Sequence, residues 1–195
     1  MRAQLAAGAA SLGLSLSART LDKLLAYQAL LQKWSRVHNL TSIRDPEEML
    51  TRHLLDSLAV IPHVRGERLL DVGSGAGLPG IVIAIALPDV SCTLLDSQGK
   101  KTRFLTQVAI ELKLKNVEVV QARIEEFDPG TKFDCIISRA FAELSTFAEL
   151  AKPLLATGGV LLAMKSIART KKRDRMTGMC VCTTFRCRGS TQYGA

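Results

Sequence analysis

The segment Asp71-Val72-Gly73-Ser74-Gly75-Ala76-Gly77-Leu78-Pro79-Gly80 carries the plainest chemistry in this 195-residue chain. Closely spaced glycines let a chain turn sharply and bring backbone N–H groups against a ligand that side chains would hold away. Gly75 to Gly80 fits G-x-G-x-x-G letter by letter, the pattern that seats a pyrophosphate at a helix start. Asp71 stands two residues ahead of the first glycine. A carboxylate there disfavours a pyrophosphate and favours a cationic ligand. About twenty residues past the loop, Leu94-Leu95-Asp96 ends on an acid placed to accept hydrogen bonds from ribose hydroxyls. Asp96 would serve equally as the cap of a helix beginning near Lys100.

These residues need elements to hold them. From Arg68 onward short apolar runs alternate with helix-length segments, predicting strands over 69–72, 92–95, 117–120, 135–137 and 160–163. Helices are expected over 78–86, 100–114 and 142–155, with a short one from Ile124. Continuous apolar strands indicate a mostly parallel sheet covered on both faces, an α/β Rossmann-like fold with the glycine loop after its first strand. Ahead of it, Leu21, Leu24, Leu25, Tyr27, Leu31 and Trp34 recur at three- and four-residue steps, an amphipathic helix. Asp45-Pro46-Glu47-Glu48 starts another, running to about Ala59. The organisation expected is a helical extension over 1–66, a core over 67–165, and a tail over 166–195 that is poorly ordered.

Charge divides in the same way. Of the +8 net charge, +6 sits in residues 166–195 and only +2 in the first 165, so basicity gives little support to a polyanion-binding body. Cys92 and Cys135 lie in strand-like sequence and read as buried thiols of a reducing compartment. Cys180, Cys182 and Cys187 lack a nearby His and the paired spacing of a zinc site, so no metal is expected. The longest apolar run, 81–87, stops at Pro88, far short of the ~18 residues a membrane span needs. With no signal-like core in the first ten residues, the chain reads as cytoplasmic.

An acid two residues before Gly-x-Gly-x-Gly at a strand end resembles motif I of the class I methyltransferases that use S-adenosylmethionine. Asp71 suits that cofactor's sulfonium and ammonium, whereas Asp96 suits its ribose and that of NAD alike. Gln121-Ala122-Arg123-Ile124-Glu125-Glu126-Phe127 falls where such enzymes contact adenine, although Glu125 and Glu126 also fit a helix's first turn. After the fourth strand stands Ser138-Arg139-Ala140-Phe141, without the Pro-Pro-aromatic motif of amino-group methylation. Cys135 has no preceding Pro and reads as a core residue rather than a nucleophile.

Several segments sharpen the resemblance: Trp34 with His38-Asn39-Leu40-Thr41, His53-Leu54-Leu55-Asp56-Ser57-Leu58, Leu78-Pro79-Gly80-Ile81, Leu94-Leu95-Asp96-Ser97, Lys100-Lys101 with Arg103-Phe104-Leu105, and Ser138-Arg139-Ala140-Phe141. In this order they closely resemble the RsmG (GidB) family, bacterial 16S ribosomal RNA guanine-N7 methyltransferases, over about residues 21–165. The resemblance implies S-adenosylmethionine as cofactor, contacted at Gly73, Leu78, Ile124, Glu125 and Arg139. Gly75 and Asp96 are added from the general motif. It implies 16S ribosomal RNA or the small ribosomal subunit as partner, with Arg123 and Lys165 as RNA contacts, and a monomer. Past Lys165 the chain departs from the family pattern, so the final strands are expected to be missing or altered; their absence would leave a sheet edge open.

Guanine N7 carries a free lone pair, so no catalytic base is assigned; alignment supplies the catalysis. The alternatives are a methyltransferase of another substrate class, or a non-catalytic RNA- or cofactor-binding remnant. An NAD dehydrogenase is disfavoured by Asp71.

Overall fold

The computed structural model describes residues 1–139, 143–165 and 181–186, with Lys165 and 181–186 described by backbone alone. Five strands, β1 Arg68–Val72, β2 Ser91–Leu95, β3 Val117–Val120, β4 Phe133–Ser138 and β5 Leu155–Lys165, run parallel. They lie in the order β3-β2-β1-β4-β5. β1 pairs with β2 on one side and β4 on the other, so the chain reverses its direction of winding at β1. The carboxyl ends of β1 and β4 therefore open a crevice at the switch point, where doubly wound folds hold ligands.

Side chains alternate between the two faces of the sheet. Leu69, Cys92, Leu94, Cys135 and Ile137 face one core, and Leu70, Leu95 and Ile136 the other. The first core is shared by α5 Gly80–Ala86, α6 Gly99–Glu111 and the N-terminal helices α1 Arg2–Ser11 and α2 Ala18–His38. Leu5, Leu24, Leu31, Leu54 and Leu58 pack there in one cluster with Ile81, Phe104 and Val108. Full burial of such a side chain stabilises by ~1.5–3 kcal/mol. α7 Leu144–Ala151 covers the opposite face through Phe147 and Ala151.

Caps set the entry to the N-terminal helices. Thr20 N donates to Ser17 Oγ at 3.1 Å ahead of α2, and Glu48 N donates to Asp45 Oδ1 at 2.8 Å ahead of α3 Pro46–Met49. The helix expected to reach Ala59 is not uniform. After α3 the backbone widens into a π-helical stretch, Leu50–Leu55, and returns to α-helix in α4, Asp56–Leu58. Such stretches are rare and gather at functional sites.

One expectation is corrected and one element added. β6 Val181–Arg186 pairs antiparallel with β5, from Val160↔Arg186 to Lys165↔Val181, and covers an edge expected to be open. Within the stretch expected as a helical extension, Arg2–Ser11 form a helix that the hydrophobic spacing did not place. The rest of the 166–195 tail, with Cys180 and Cys187, lies outside the described residues.

Candidate cofactor site

β1 ends in a turn that only glycine makes without strain: Gly73, Gly75 and Gly77 have φ of 70°, 58° and 91°. Its peptides are tied down on three sides. Gly73 N and Ser74 N donate to Leu95 O at 2.8 and 3.1 Å, Gly75 N donates to Asp96 Oδ2 at 2.9 Å, and Ser74 Oγ donates to Asp71 O at 2.8 Å. From below, the buried Tyr27 of α2 donates through Oη to Ala76 O at 2.7 Å. Burial pushes the Tyr27 hydroxyl far above its usual range, which keeps it a donor.

Asp71 does not face the cleft. Its carboxylate is wholly buried under the turn, where Oδ2 accepts from Gly80 N at 2.9 Å. Oδ1 has no hydrogen-bond partner among the described residues. Burial raises this carboxyl to about 7 against the pull of the Gly80 and Ser74 hydrogen bonds. The expected attraction for a cationic cofactor is therefore replaced by a tie between the strand tip and the start of α5.

Asp96 does stand in the cleft wall. Oδ1 accepts from Gln98 N at 2.9 Å, Oδ2 holds Gly75, and Lys101 Nζ lies 3.5 Å from Oδ2. It thus shapes the turn and caps the helix entry together, and Oδ1 keeps a further lone pair for a ligand. The cleft, about 280 Å³, is lined by Gly73, Asp96, Gln98, Lys101, Arg123, Ile124 and Glu125, with apolar contributions from Val72, Leu95 and Ala122.

Five of the predicted residues therefore come together: Gly73, Asp96, Ile124, Glu125 and Arg123. Gly75 joins them through its bond to Asp96. Leu78 is 7% exposed and packs in the core behind the turn. Arg139 follows β4, next to the β1 tip, where Val72 pairs with Ser138 and Ser138 Oγ donates to Val72 O at 2.7 Å. Its guanidinium turns toward the π-helical stretch, with Nη2 donating to Arg52 O at 3.3 Å. Nη1 is buried without a hydrogen-bond partner among the described residues. The Lys165 side chain and residues Ala140 and Phe141 lie outside the described residues.

Sequence reasoning missed Tyr27 and Gln98. It also missed the pairing of Lys101 with Asp96. Lys101 had a signal, since it lies one turn into the helix after an acidic strand end; Tyr27 had none, because its partner is 49 residues away.

The residues present fit S-adenosylmethionine. Apolar walls suit adenine, Asp96 suits ribose hydroxyls, and the glycine turn leaves room for the amino-acid end. A parallel sheet with this turn at its switch point is a Rossmann-like fold, and S-adenosylmethionine-dependent methyltransferases of solved structure share it. One from Aquifex aeolicus, an S-adenosylmethionine-dependent methyltransferase, has a TM-score of 0.54 at 21% identity, covering 74% of this chain and 77% of its own. Coclaurine N-methyltransferase, bound to N-methylheliamine and S-adenosylhomocysteine, has a TM-score of 0.53 at 14% identity, covering 84% and 56%.

The sequence profile described as rRNA small subunit methyltransferase G matches residues 20–186, further than the 21–165 expected and including β6. Ribosomal RNA small subunit methyltransferase G of Chromohalobacter salexigens is 59% identical over 163 residues, 84% of this chain and 78% of its own length. That of Methylobacillus flagellatus is 54% identical over 165 residues, 85% and 80%. The chain belongs to the rRNA small subunit methyltransferase G family.

Proposed function

We propose that this protein transfers the methyl group of S-adenosylmethionine to N7 of a guanine in 16S ribosomal RNA. The observation that carries the reading is the clasp of the β1 glycine turn on Asp96 beside the Ile124–Glu125 wall, in a chain of this family. The bound cofactor supplies an electrophilic methyl on a sulfonium. The N7 lone pair is free at neutral pH, so no residue of this chain would need to remove a proton.

The protein's part is then to bind, align and exclude water. Asp96 takes the ribose hydroxyls, Ile124 and Glu125 border the adenine, and Gly73 and Gly75 give the amino-acid end its backbone contacts. Leu78 supports the turn from behind. Arg139, beside the β1 tip, would take the cofactor carboxylate, its Nη1 having no hydrogen-bond partner among the described residues. Arg123, on the cleft wall, and Lys165, at the end of β5, contact RNA phosphates. The extension over 1–66, the core over 67–165 and the segment over 166–195 are the working parts of one cytoplasmic monomer whose partner is the small ribosomal subunit. No helix among the described residues is long and apolar enough to cross a membrane.

Labelled S-adenosylmethionine incubated with small-subunit RNA, naked and as the assembled particle, should yield 7-methylguanosine at one mapped position. Label in another nucleoside, or none beside an active relative, overturns the reading; salt-dependent RNA binding without transfer identifies a remnant. Asp96→Ala removes charge-assisted bonds of about 1.5–3 kcal/mol. Its affinity for S-adenosylmethionine should fall roughly 10- to 100-fold by calorimetry.

A further inference from the structure

A guanine attacked at N7 must be told from adenine, which also carries an N7. The distinction lies on the opposite edge of the base, where guanine presents N1–H and a 2-amino group as adjacent donors beside the O6 acceptor. A carboxylate accepts both donors at once, and adenine, with an acceptor at N1, meets that carboxylate with repulsion.

Around Arg139 and the Arg52 carbonyl it binds, most of the acidic and imidazole acceptors are committed to the fold. Asp71 is sealed beneath the turn and bonded to Gly80. Glu48 is paired with Arg52 Nη1 at 2.5 Å. His53 is enclosed, with Nε2 2.8 Å from Thr41 Oγ1 and Nδ1 3.1 Å from Arg52 O. Asp56 remains. Its side chain, neither buried nor fully exposed, accepts no hydrogen bond from the described residues, and its charged neighbours are Arg139 and Arg52. It is the first residue after the π-helical stretch whose Arg52 carbonyl anchors the Arg139 guanidinium. The widened turn thus carries a spare carboxylate alongside the arginine that follows the β4 tip.

We propose that Asp56 is the residue that selects guanine, accepting hydrogen bonds from N1–H and the 2-amino group while the base turns its N7 toward the methyl donor. This rests on the function proposed above. Partial desolvation raises the Asp56 carboxyl to about 6, with Arg139 and Arg52 opposing the rise, so it is ionised and able to accept at neutral pH. The cost of holding it there without a protein partner is recovered when the base supplies two donors.

The test uses the full chain and particles reconstituted from ligated small-subunit RNA with guanosine or inosine at the mapped position; inosine lacks only the 2-amino group. Wild-type kcat/KM should fall at least about tenfold on inosine, the loss of one hydrogen bond to a charged group. D56N should lose roughly 100-fold on guanosine, show no preference between the two bases, and bind S-adenosylhomocysteine within about twofold of wild type. Retained activity in a folded D56N, retained discrimination, or a parallel loss of cofactor affinity overturns the proposal. Should D56N not fold, equal wild-type rates on guanosine and inosine overturn it, and a selective loss on inosine supports it. Failure of the wild type to form any 7-methylguanosine would instead remove the underlying function.

Discussion

His53 and Asp71 both lie within electrostatic reach of Arg139, and their protonation moves stability in opposite directions. Burial, with help from Arg139 and Arg52, pushes the His53 ring down to about 4, against its bond to the Arg52 carbonyl and the pull of Glu48. Between pH 6.5 and 4 the unfolded chain therefore takes a proton that the fold refuses, and stability falls as pH falls. Asp71, raised to about 7, keeps a proton that the unfolded chain releases near pH 4, so its contribution falls as pH rises through that interval. A His53→Gln variant should lose the first slope and keep the second. Relative to wild type it should gain about 2 kcal/mol of unfolding free energy between pH 6.5 and 4.5, read from urea titrations; an unchanged difference would remove His53 as the acid-sensitive group. At this scale the meeting of Gly75 with Asp96 at one sheet edge was legible, because a glycine turn after one strand and an acid ending the next fall side by side. It did not say that Asp71 points down into the fold or that Tyr27 reaches Ala76, since side-chain direction and contacts across 49 residues are products of packing.

Among the elements, α5 begins where space is tightest. A Cβ on Gly80 would stand 2.3 Å from Leu94 Cδ2 and 2.6 Å from Asp71 Oδ2, both inside the core. Gly80→Ala should therefore destabilise by about 1–3 kcal/mol through overpacking and loosen the Asp71 tie. The expected readouts are a lower thermal midpoint and weaker binding of S-adenosylmethionine; a variant with both unchanged would show that the tie does not hold the turn. The five parallel strands were legible because a doubly covered strand must be apolar throughout, and Leu69, Cys92 and Cys135 announce it. β5 begins earlier than the run over 160–163 suggested, since Leu155-Ala156-Thr157-Gly158-Gly159 has no apolar period. α1 escaped notice because Leu5 and Ala9 alone are buried along it. Nothing in the spacing of 50–55 announces a π-helical turn, a backbone adjustment on which Arg139 rests through the Arg52 carbonyl.

For the whole molecule, the core joins the N-terminal helices to the sheet, and β6 covers the flank of β5. A chain ending after Lys165 would unpair the six residues of β5 from Val160 to Lys165. It should melt at a lower temperature and scatter light at concentrations where the full chain stays clear; equal behaviour would make β6 dispensable. The overall winding was legible from alternating strand and helix segments, whereas β6 was not, because an antiparallel edge strand needs only one partner and carries little apolar sequence. Its position also sets a timetable during synthesis. At ~5–20 residues/s, the 21 residues separating Lys165 from Arg186 take roughly 1 to 4 s to translate. For that interval the nascent chain has made β5 but not the strand that shields it, so slow codons after Lys165 would lengthen the period in which neighbouring chains on the same message can pair with the bare flank.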